Sequence, residues 1–421
     1  MGENPRHPTR QEDLMGNYRF HTPDGVSDML PEVCATKRGI ENRLRTLFDA
    51  SGYQEIETPG IEFFDVYAGG NFVAQENLYK LTDREGRILV LRYDGTVPAA
   101  RLAATVLKDY PLPLRLSYIE NMYRFLESGG GKQREFAQAG IELMGVKNAQ
   151  ADAEVIATSI AAALEIGLTD LQVAVGQVDF FLGLMEEWGV GEEDADLLSK
   201  LVDRKDSVML EKMADRMSLS PENKETLLMI PTLFGTYDTI DLLEKRVEGT
   251  RAKAALSDLR EILETLEDYG YMKYISLDLG MLRSLDYYTG MIFKGFTREV
   301  GFPIISGGRY DKVVSVFGRD VPAVGFSIGI TLCITALHRQ EWSRERRSTD
   351  VIIGYDAETG LRKKAIQAAR ELRKKKMKVI LDCSGKDENG LNSYAKSNGI
   401  GQVIYLKEGD CCCTEGETEG K

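Results

Sequence analysis

LRLSYIENMYRF at residues 114–125 and REFAQAGIELMG at residues 134–145 decide the fold. Each reads as a strand, the first with period-two features, and the run Gly129-Gly130-Gly131 lies between them. Two strands joined by a glycine turn predict a β-hairpin. Gln138 and Glu142 are four apart on the second strand, so both point to one face of a sheet. Arg124 lies on the first strand.

Working upstream, Thr22-Pro23-Asp24-Gly25 is turn chemistry. Residues 33–50 carry Ile40, Leu44, Leu47 and Phe48 at helical spacing, with Gly52 placed as a C-cap. Residues 53–63 read as an extended segment broken by Pro59, residues 88–93 as a strand, and residues 97–107 as a helix opening at the Gly95-Thr96 turn. Asp94 and Thr96 fall at that strand's end. Downstream, residues 151–168 predict a helix, and residues 180–268 an all-helical insertion rich in Leu, Met, Glu, Asp and Lys. Strands return from Tyr274: YISLDLG, YYTGMIFKGF with Arg283, Tyr287 and Tyr288 assigned to it, and the cluster Ser306-Gly307-Gly308-Arg309-Tyr310. Residues 321–340 predict a strand running into a helix. Residues 350–407 alternate β-α-β-α-β, a small α/β domain. The domain expectation is an extension over 1–18, a core over 19–340, a charged linker over 341–349, the α/β domain over 350–407 and a disordered tail over 408–421.

The 421 residues suit two or three domains, and a formal net charge of −13 makes nonspecific nucleic-acid binding a poor fit. No apolar run approaches the ~18 residues of a membrane span, and the N-terminal stretch has no apolar core of a secretory signal, so a cytoplasmic location is expected. Of six cysteines, three stand together as Cys411-Cys412-Cys413, and there are only three histidines. No ligand spacing for zinc and no disulfide framework is read, which predicts a reduced protein without a metal.

The polar groups at strand and turn positions admit two readings from spacing alone. Asp94, Thr96, Arg124, Gln138, Glu142, Arg283, Tyr287 and Tyr288 suit an amino acid if a cleft collects them. Carboxylate and amide oxygens match an ammonium, a guanidinium matches a carboxylate or phosphate, and a Glu with a Tyr hydroxyl grips both nitrogens of an imidazole. Otherwise they are exposed sheet residues or ladder partners. Gly307 and Gly308 let the backbone approach a ligand or another strand. The basic run at 362–378 binds RNA or phosphate, or is the solvated face of a surface helix. Lys132 and Arg134 after the glycine run clamp phosphates, or belong to a mobile hairpin tip.

TPDGVSDMLP, LRYDGTVPAAR, the hairpin, LRSLDYYTGMIF, SGGRYD and VPAVGFSIG, in this order from about Thr22 to Ala336, resemble class II histidyl-tRNA synthetase. The resemblance implies an α+β fold, an antiparallel sheet flanked by helices that binds histidine and ATP in a dimer, with an anticodon-binding-like domain over 350–407. By the same resemblance, Asp94, Thr96 and Gln138 match the residues holding the substrate's α-amino group, and Glu142 and Tyr288 the pair on the imidazole. Arg283 matches the arginine at the carboxylate and α-phosphate, and Arg124 the arginine at the ATP phosphate. Tyr287 adjoins this set, and Gly307 and Gly308 supply pocket backbone.

The departures set the functional expectation. Leu332 stands where the family's third motif has an arginine on adenine and the γ-phosphate, and Leu126 where the second motif has an acidic residue. Leucine offers neither charge nor fork-shaped donors. The amino-acid half of the pocket is kept and the ATP half is degraded. This resembles a paralogous family, the regulatory subunits of ATP phosphoribosyltransferase, which perform no aminoacylation. The expectation is therefore a chain without its own catalytic site or cofactor, serving the first step of histidine biosynthesis. It implies a short-form catalytic subunit as partner, L-histidine as effector, and a homodimer of the core within a hetero-oligomer. A divergent histidyl-tRNA synthetase is the competing expectation, and a histidine or uncharged-tRNA sensor a third.

Overall fold

The computed structural model describes residues 18–70, 72–125, 133–282, 288–340, 349–356 and 361–407. The chain forms two compact units, Met1–Trp342 and Ser343–Lys421. The expectations for the N-terminal extension up to residue 17, for the Gly129–Gly131 turn, for Leu126, Arg283 and Tyr287, for 341–348, and for the tail with Cys411–Cys413 lie outside the described residues.

The first unit opens with α1 (Pro31–Ala50), started by a proline in its first turn and burying Ile40, Leu44 and Phe48 at four-residue spacing. Two short strands, β1 (Gln54–Glu55) and β2 (Ile61–Phe63), flank Pro59, and α2 (Phe64–Ala68), β3 (Lys80–Thr82) and β4 (Ile88–Leu91) follow. Helix α3 (Thr96–Ala104) is shorter than the expected 97–107. It closes where Thr105 donates its hydroxyl back to the Arg101 carbonyl. The hairpin strands are β5 (Leu114–Tyr123) and β6 (Glu135–Met144), antiparallel over their full length.

Helix α4 (Ala149–Glu165) begins where the Asn148 side chain accepts from Ala151 N–H. It leads to β7 (Leu171–Gln177), a strand the sequence reading did not assign although Leu171, Val173 and Val175 alternate inward. Helices α5 (Val178–Glu187), α6 (Glu192–Asp203), α7 (Ser207–Arg216) and α8 (Pro221–Met229) then run to β8 (Phe234–Gly235). That two-residue strand corrects the all-helical reading of 180–268, because it pairs with the later β9 (Ile275–Asp278) at the sheet edge. Between them lie α9 (Tyr237–Glu244) and α10 (Thr250–Asp268), and after β9 come β10 (Met291–Thr297), β11 (Ile305–Arg309), α11 (Val313–Val316), β12 (Ala323–Gly329) and α12 (Ile330–Arg339).

Nine strands make one sheet in the order β1-β5-β6-β12-β11-β10-β7-β9-β8, and β2-β4-β3 make a small second sheet. Strand alternation separates the large sheet into two chemistries. One face presents Ala139, Ile141, Leu143, Val173, Val175, Phe293, Val324, Phe326 and Ile328 to a core shared with α1, α4 and α10. Each large apolar side chain buried there contributes about 1.5–3 kcal/mol. The opposite face is floored by small residues. Glu142 faces Gly325, Gly325 faces Gly308, Gly308 faces Ile292 and Ile292 faces Gly176 across successive strands. This row of missing side chains is where a ligand-sized space can exist.

The second unit is a parallel sheet, β14-β13-β15, from β13 (Val351–Tyr355), β14 (Val379–Leu381) and β15 (Gln402–Leu406). Helix α13 (Arg362–Lys374) packs Ala365 and Ala369 against Val351 and Ile353, while α14 (Glu388–Ser397) packs Leu391 and Ala395 against Ile352. The remaining basic side chains of α13 are exposed. Among the described residues, no helix is long and apolar enough to cross a membrane.

Candidate functional site

Glu142 is the centre of the small-residue face. It is fully buried, with no charged partner within ion-pair distance among the described residues. Three hydroxyls surround it instead. Thr96 donates to Oε1 at 2.8 Å, Tyr118 donates to the same oxygen at 3.3 Å, and Tyr310 donates to Oε2. Burial pushes the Glu142 carboxyl up to about 8, while the Tyr310, Thr96 and Tyr118 hydrogen bonds pull the other way and the Asp94 charge adds to the rise.

The glycines explain how this group is accommodated. A Cβ on Gly325 would stand 1.9 Å from Glu142 Oε2, so the carboxyl rests directly on the neighbouring strand's backbone. A Cβ on Gly95 or Gly140 would enter the Tyr118 ring, at 2.2 and 2.5 Å. Gly308 plays the same part for Tyr288, whose ring atoms lie 2.9 Å from the position its Cβ would take. Gly307 opens to the other face, against the Phe293 ring and the Gly325 carbonyl.

Asp94 lies in the turn between β4 and α3. Its Oδ1 accepts from Val97 N–H at 3.0 Å and so caps the helix, while its buried Oδ2 has no hydrogen-bond partner among the described residues. Burial raises the Asp94 carboxyl, opposed by the Val97 N–H and the positive charge of Arg124. An orphaned carboxylate oxygen beside Glu142 is a ready acceptor for an ammonium group. Thr96, expected at the same strand end, is instead the first residue of α3, and its hydroxyl is committed to Glu142.

Arg124, expected on the first hairpin strand, follows the end of β5, its guanidinium 4.6 Å from the Tyr93 centroid and 5.0 Å from that of Phe136, with Nε donating to the Tyr93 carbonyl at 3.3 Å. Gln138 leaves the sheet on the Glu142 face, opposite Glu120 on one side and Gly329 on the other. Tyr288 was expected on a strand but instead precedes β10, and burial raises its hydroxyl with the Glu142 and Asp94 charges acting in the same direction. The structure thus gathers Asp94, Thr96, Glu142, Tyr288 and, through its charge, Arg124. Sequence reasoning missed Tyr118 and Tyr310. Tyr310 sat inside a motif read for its glycines, and Tyr118 shares the strand alternation that placed Glu142.

Where the ATP half would be, Leu332 lies in α12, packed against the apolar core, and brings no charge to the sheet. Arg309 of the same glycine motif is structural. It is buried, bonded to Asp152 of α4 through Nε at 3.2 Å and Nη2 at 2.5 Å, and to Asp311 and the Val146 carbonyl through Nη1. Burial outweighs the arginine's pull on Asp152, whose carboxyl rises to about 6.

Residues 25–332 match the family model described as histidyl-tRNA synthetase. The ATP phosphoribosyltransferase regulatory subunit of Acetivibrio thermocellus is 47% identical over 393 residues, covering 93% of this chain and 94% of that protein. The protein of the same name from Ruminiclostridium cellulolyticum is 44% identical over 397 residues, 94% of each. A solved structure described as an ATP phosphoribosyltransferase regulatory subunit/histidyl-tRNA synthetase from Bacillus halodurans superposes with a TM-score of 0.83 at 34% identity, over 93% of this chain and 99% of that one. A histidyl-tRNA synthetase from Nostoc sp. PCC 7120, at 22% identity and a TM-score of 0.77 over 90% of each chain, shares the fold.

Proposed function

This chain belongs to the histidyl-tRNA synthetase family, among the ATP phosphoribosyltransferase regulatory subunits, and from that premise we propose that it is the histidine-responsive, non-catalytic partner of a short-form catalytic subunit in the first step of histidine biosynthesis. One observation carries the reading of the site. A buried carboxyl ringed by hydroxyls and a second buried carboxyl with an open oxygen stand together over a glycine floor, while the position that would meet adenine is a leucine half-buried against the apolar core. Glu142 and Tyr288 take the imidazole, and Asp94 with Gln138 takes the ammonium. Arg124 and Arg283 supply charge for the carboxylate.

The chemistry is binding without turnover. An aminoacyl-adenylate requires cations on the nucleotide phosphates, and removing a group that stabilises developing charge costs orders of magnitude in rate. Leu332 is packed away from that role. Regulation follows from linkage. Histidine bound unequally by two states of the heteromer shifts it toward the less active one, and the catalytic subunit shifts histidine affinity by the same factor. A dimer of this core within the heteromer fits the scheme.

The test mixes this chain with a short-form ATP phosphoribosyltransferase. Co-elution by light scattering, a rise in phosphoribosyl transfer and its suppression by histidine are expected. Separate elution with unchanged activity refutes the assignment.

A further inference from the structure

The three hydroxyls around Glu142 do more than satisfy a buried group. A carboxylate offers about four lone-pair directions. Oε1 uses two, for Thr96 and Tyr118, and Oε2 uses one, for Tyr310. The Gly325 backbone, with Ile141's carbonyl alongside, closes the side on which a Cβ would otherwise sit. We propose that Tyr310 and Tyr118 are positioning residues, which lock Glu142 in one rotamer with a single free acceptor direction on Oε2 and so make the pocket select a ligand presenting one in-plane N–H, an imidazole. This rests on the pocket being a histidine site.

Both tyrosines reach Glu142 from elements other than its own. Tyr118 comes from β5 and Tyr310 from the residue after β11. Both are almost wholly buried, so neither hydroxyl is in exchange with bulk water. An amide ligand, an ammonium or a guanidinium brings several donors and needs several acceptors, and Glu142 has already given three away. A hydroxyl could fill the one position but does not supply a second nitrogen for Tyr288.

Removing a donor has a signature that loss of packing lacks. Among the described residues, the groups whose charge or hydrogen bonds reach Glu142 are Tyr310, Thr96, Asp94 and Tyr118, and Tyr288 faces it in turn. Arg124 acts on Asp94 and Tyr288. With the carboxyl pushed up to about 8, the free site carries a proton in the open direction of Oε2, and on binding that proton is shared with the imidazole nitrogen, so imidazole and carboxyl hold one proton between them and Glu142 acts as the acceptor. Binding is then level in pH from the imidazole's ordinary value near ~6.5 up to that of Glu142, and weakens above it because a proton must be taken up. Losing the Tyr310 hydroxyl raises Glu142 further and carries this upper limb to higher pH. Titrations of the ligand itself are common to every variant.

The experiment is calorimetry of L-histidine on the full chain between pH 5.5 and 9, for the parent, Tyr310→Phe and Tyr118→Phe. Tyr310→Phe is expected to weaken binding roughly 10- to 100-fold, the range for a hydrogen bond to a charged group, and to move the upper limb to higher pH. Tyr118→Phe, whose bond is longer, moves both in the same direction by less. If the parent binds histidine and both folded variants match it in affinity and pH profile, the positioning role is refuted while the histidine site stands. If the parent does not bind histidine, the reading of the site falls and takes this inference with it. Should Tyr310→Phe melt early, Tyr118→Phe decides.

Discussion

Gly325→Ala places a methyl group where the structure has no room for one. The new Cβ would lie 1.9 Å from Glu142 Oε2 and 2.5 Å from the Ile141 carbonyl, both short of the 3.4 Å of ordinary contact. The carbonyl belongs to the ladder pairing β6 with β12 and cannot swing aside. The carboxyl can move, but only by leaving Tyr310, since a shift of about 1.5 Å carries any hydrogen bond past its limit. Overpacking costs about 1–3 kcal/mol, and losing a hydrogen bond to a carboxylate about 1.5–3 more. Against a typical stability of about 5–15 kcal/mol, a drop of about 3–6 is a large loss. Urea unfolding of the first unit's transition should show a lower midpoint with an unchanged slope. Histidine affinity should fall by at least tenfold in the same protein. A Gly325→Ala chain with the parent's midpoint and the parent's histidine affinity would refute the account of the glycine floor.

Glu142→Gln separates binding from stability. A carboxyl whose native value is near 8 and whose unfolded value is near 4.5 binds more protons when folded, so stability is fully present below about 4.5 and is lost as pH rises through 8. The unliganded parent should therefore melt progressively earlier across that window. Glu142→Gln should flatten the profile, melt at least as high as the parent at pH 8, and bind histidine at least tenfold more weakly. Asp152→Ala leaves Asp311 as the one carboxylate on the buried Arg309 guanidinium among the described residues, and should cost about 1–3 kcal/mol in denaturant titrations, the scale for a lost hydrogen-bonded charge partner. Histidine-dependent ATP–pyrophosphate exchange should be absent, and exchange at a synthetase-like rate would restore the aminoacylation reading despite Leu332.

The site was legible in part because strand alternation is a strict rule. Gln138 and Glu142, four residues apart, do leave the sheet on one face, and the hairpin that carries them pairs without a slip from Leu114–Met144 to Tyr123–Glu135. Alternation also held the information that Tyr118 shares that face. What it lacked was the register that sets Tyr118 against Gly140, a long-range fact fixed by packing. Tyr310 was hidden differently. The strand it follows, β11, is paired to β10 and β12, far apart in sequence from β6, so only the assembled sheet order brings its hydroxyl to Glu142. Strand β7 escaped notice although Leu171, Val173 and Val175 alternate, and β8 is too short to leave a pattern at all. Arg309 looked like part of a ligand motif and is a buried structural ion pair, a distinction that residue type does not make.

Arg309 and Tyr310 are neighbours in the chain and belong to opposite sides of the sheet. The tyrosine faces the ligand space, and the arginine is riveted to α4 through Asp152. The backbone joining them is itself pinned, by Thr289 N–H on the Arg309 carbonyl and by the Tyr310 N–H on Ala323. In mechanical terms the sheet is a clamped plate at this point, with no slack for Tyr310 to withdraw by sliding its strand. A ligand bound at Glu142, as proposed, would find Tyr310 held in place and would spend little affinity on ordering it. Under the proposed function, a partner that displaced α4 would pull on Arg309 through Asp152 and so reach Tyr310 and the pocket.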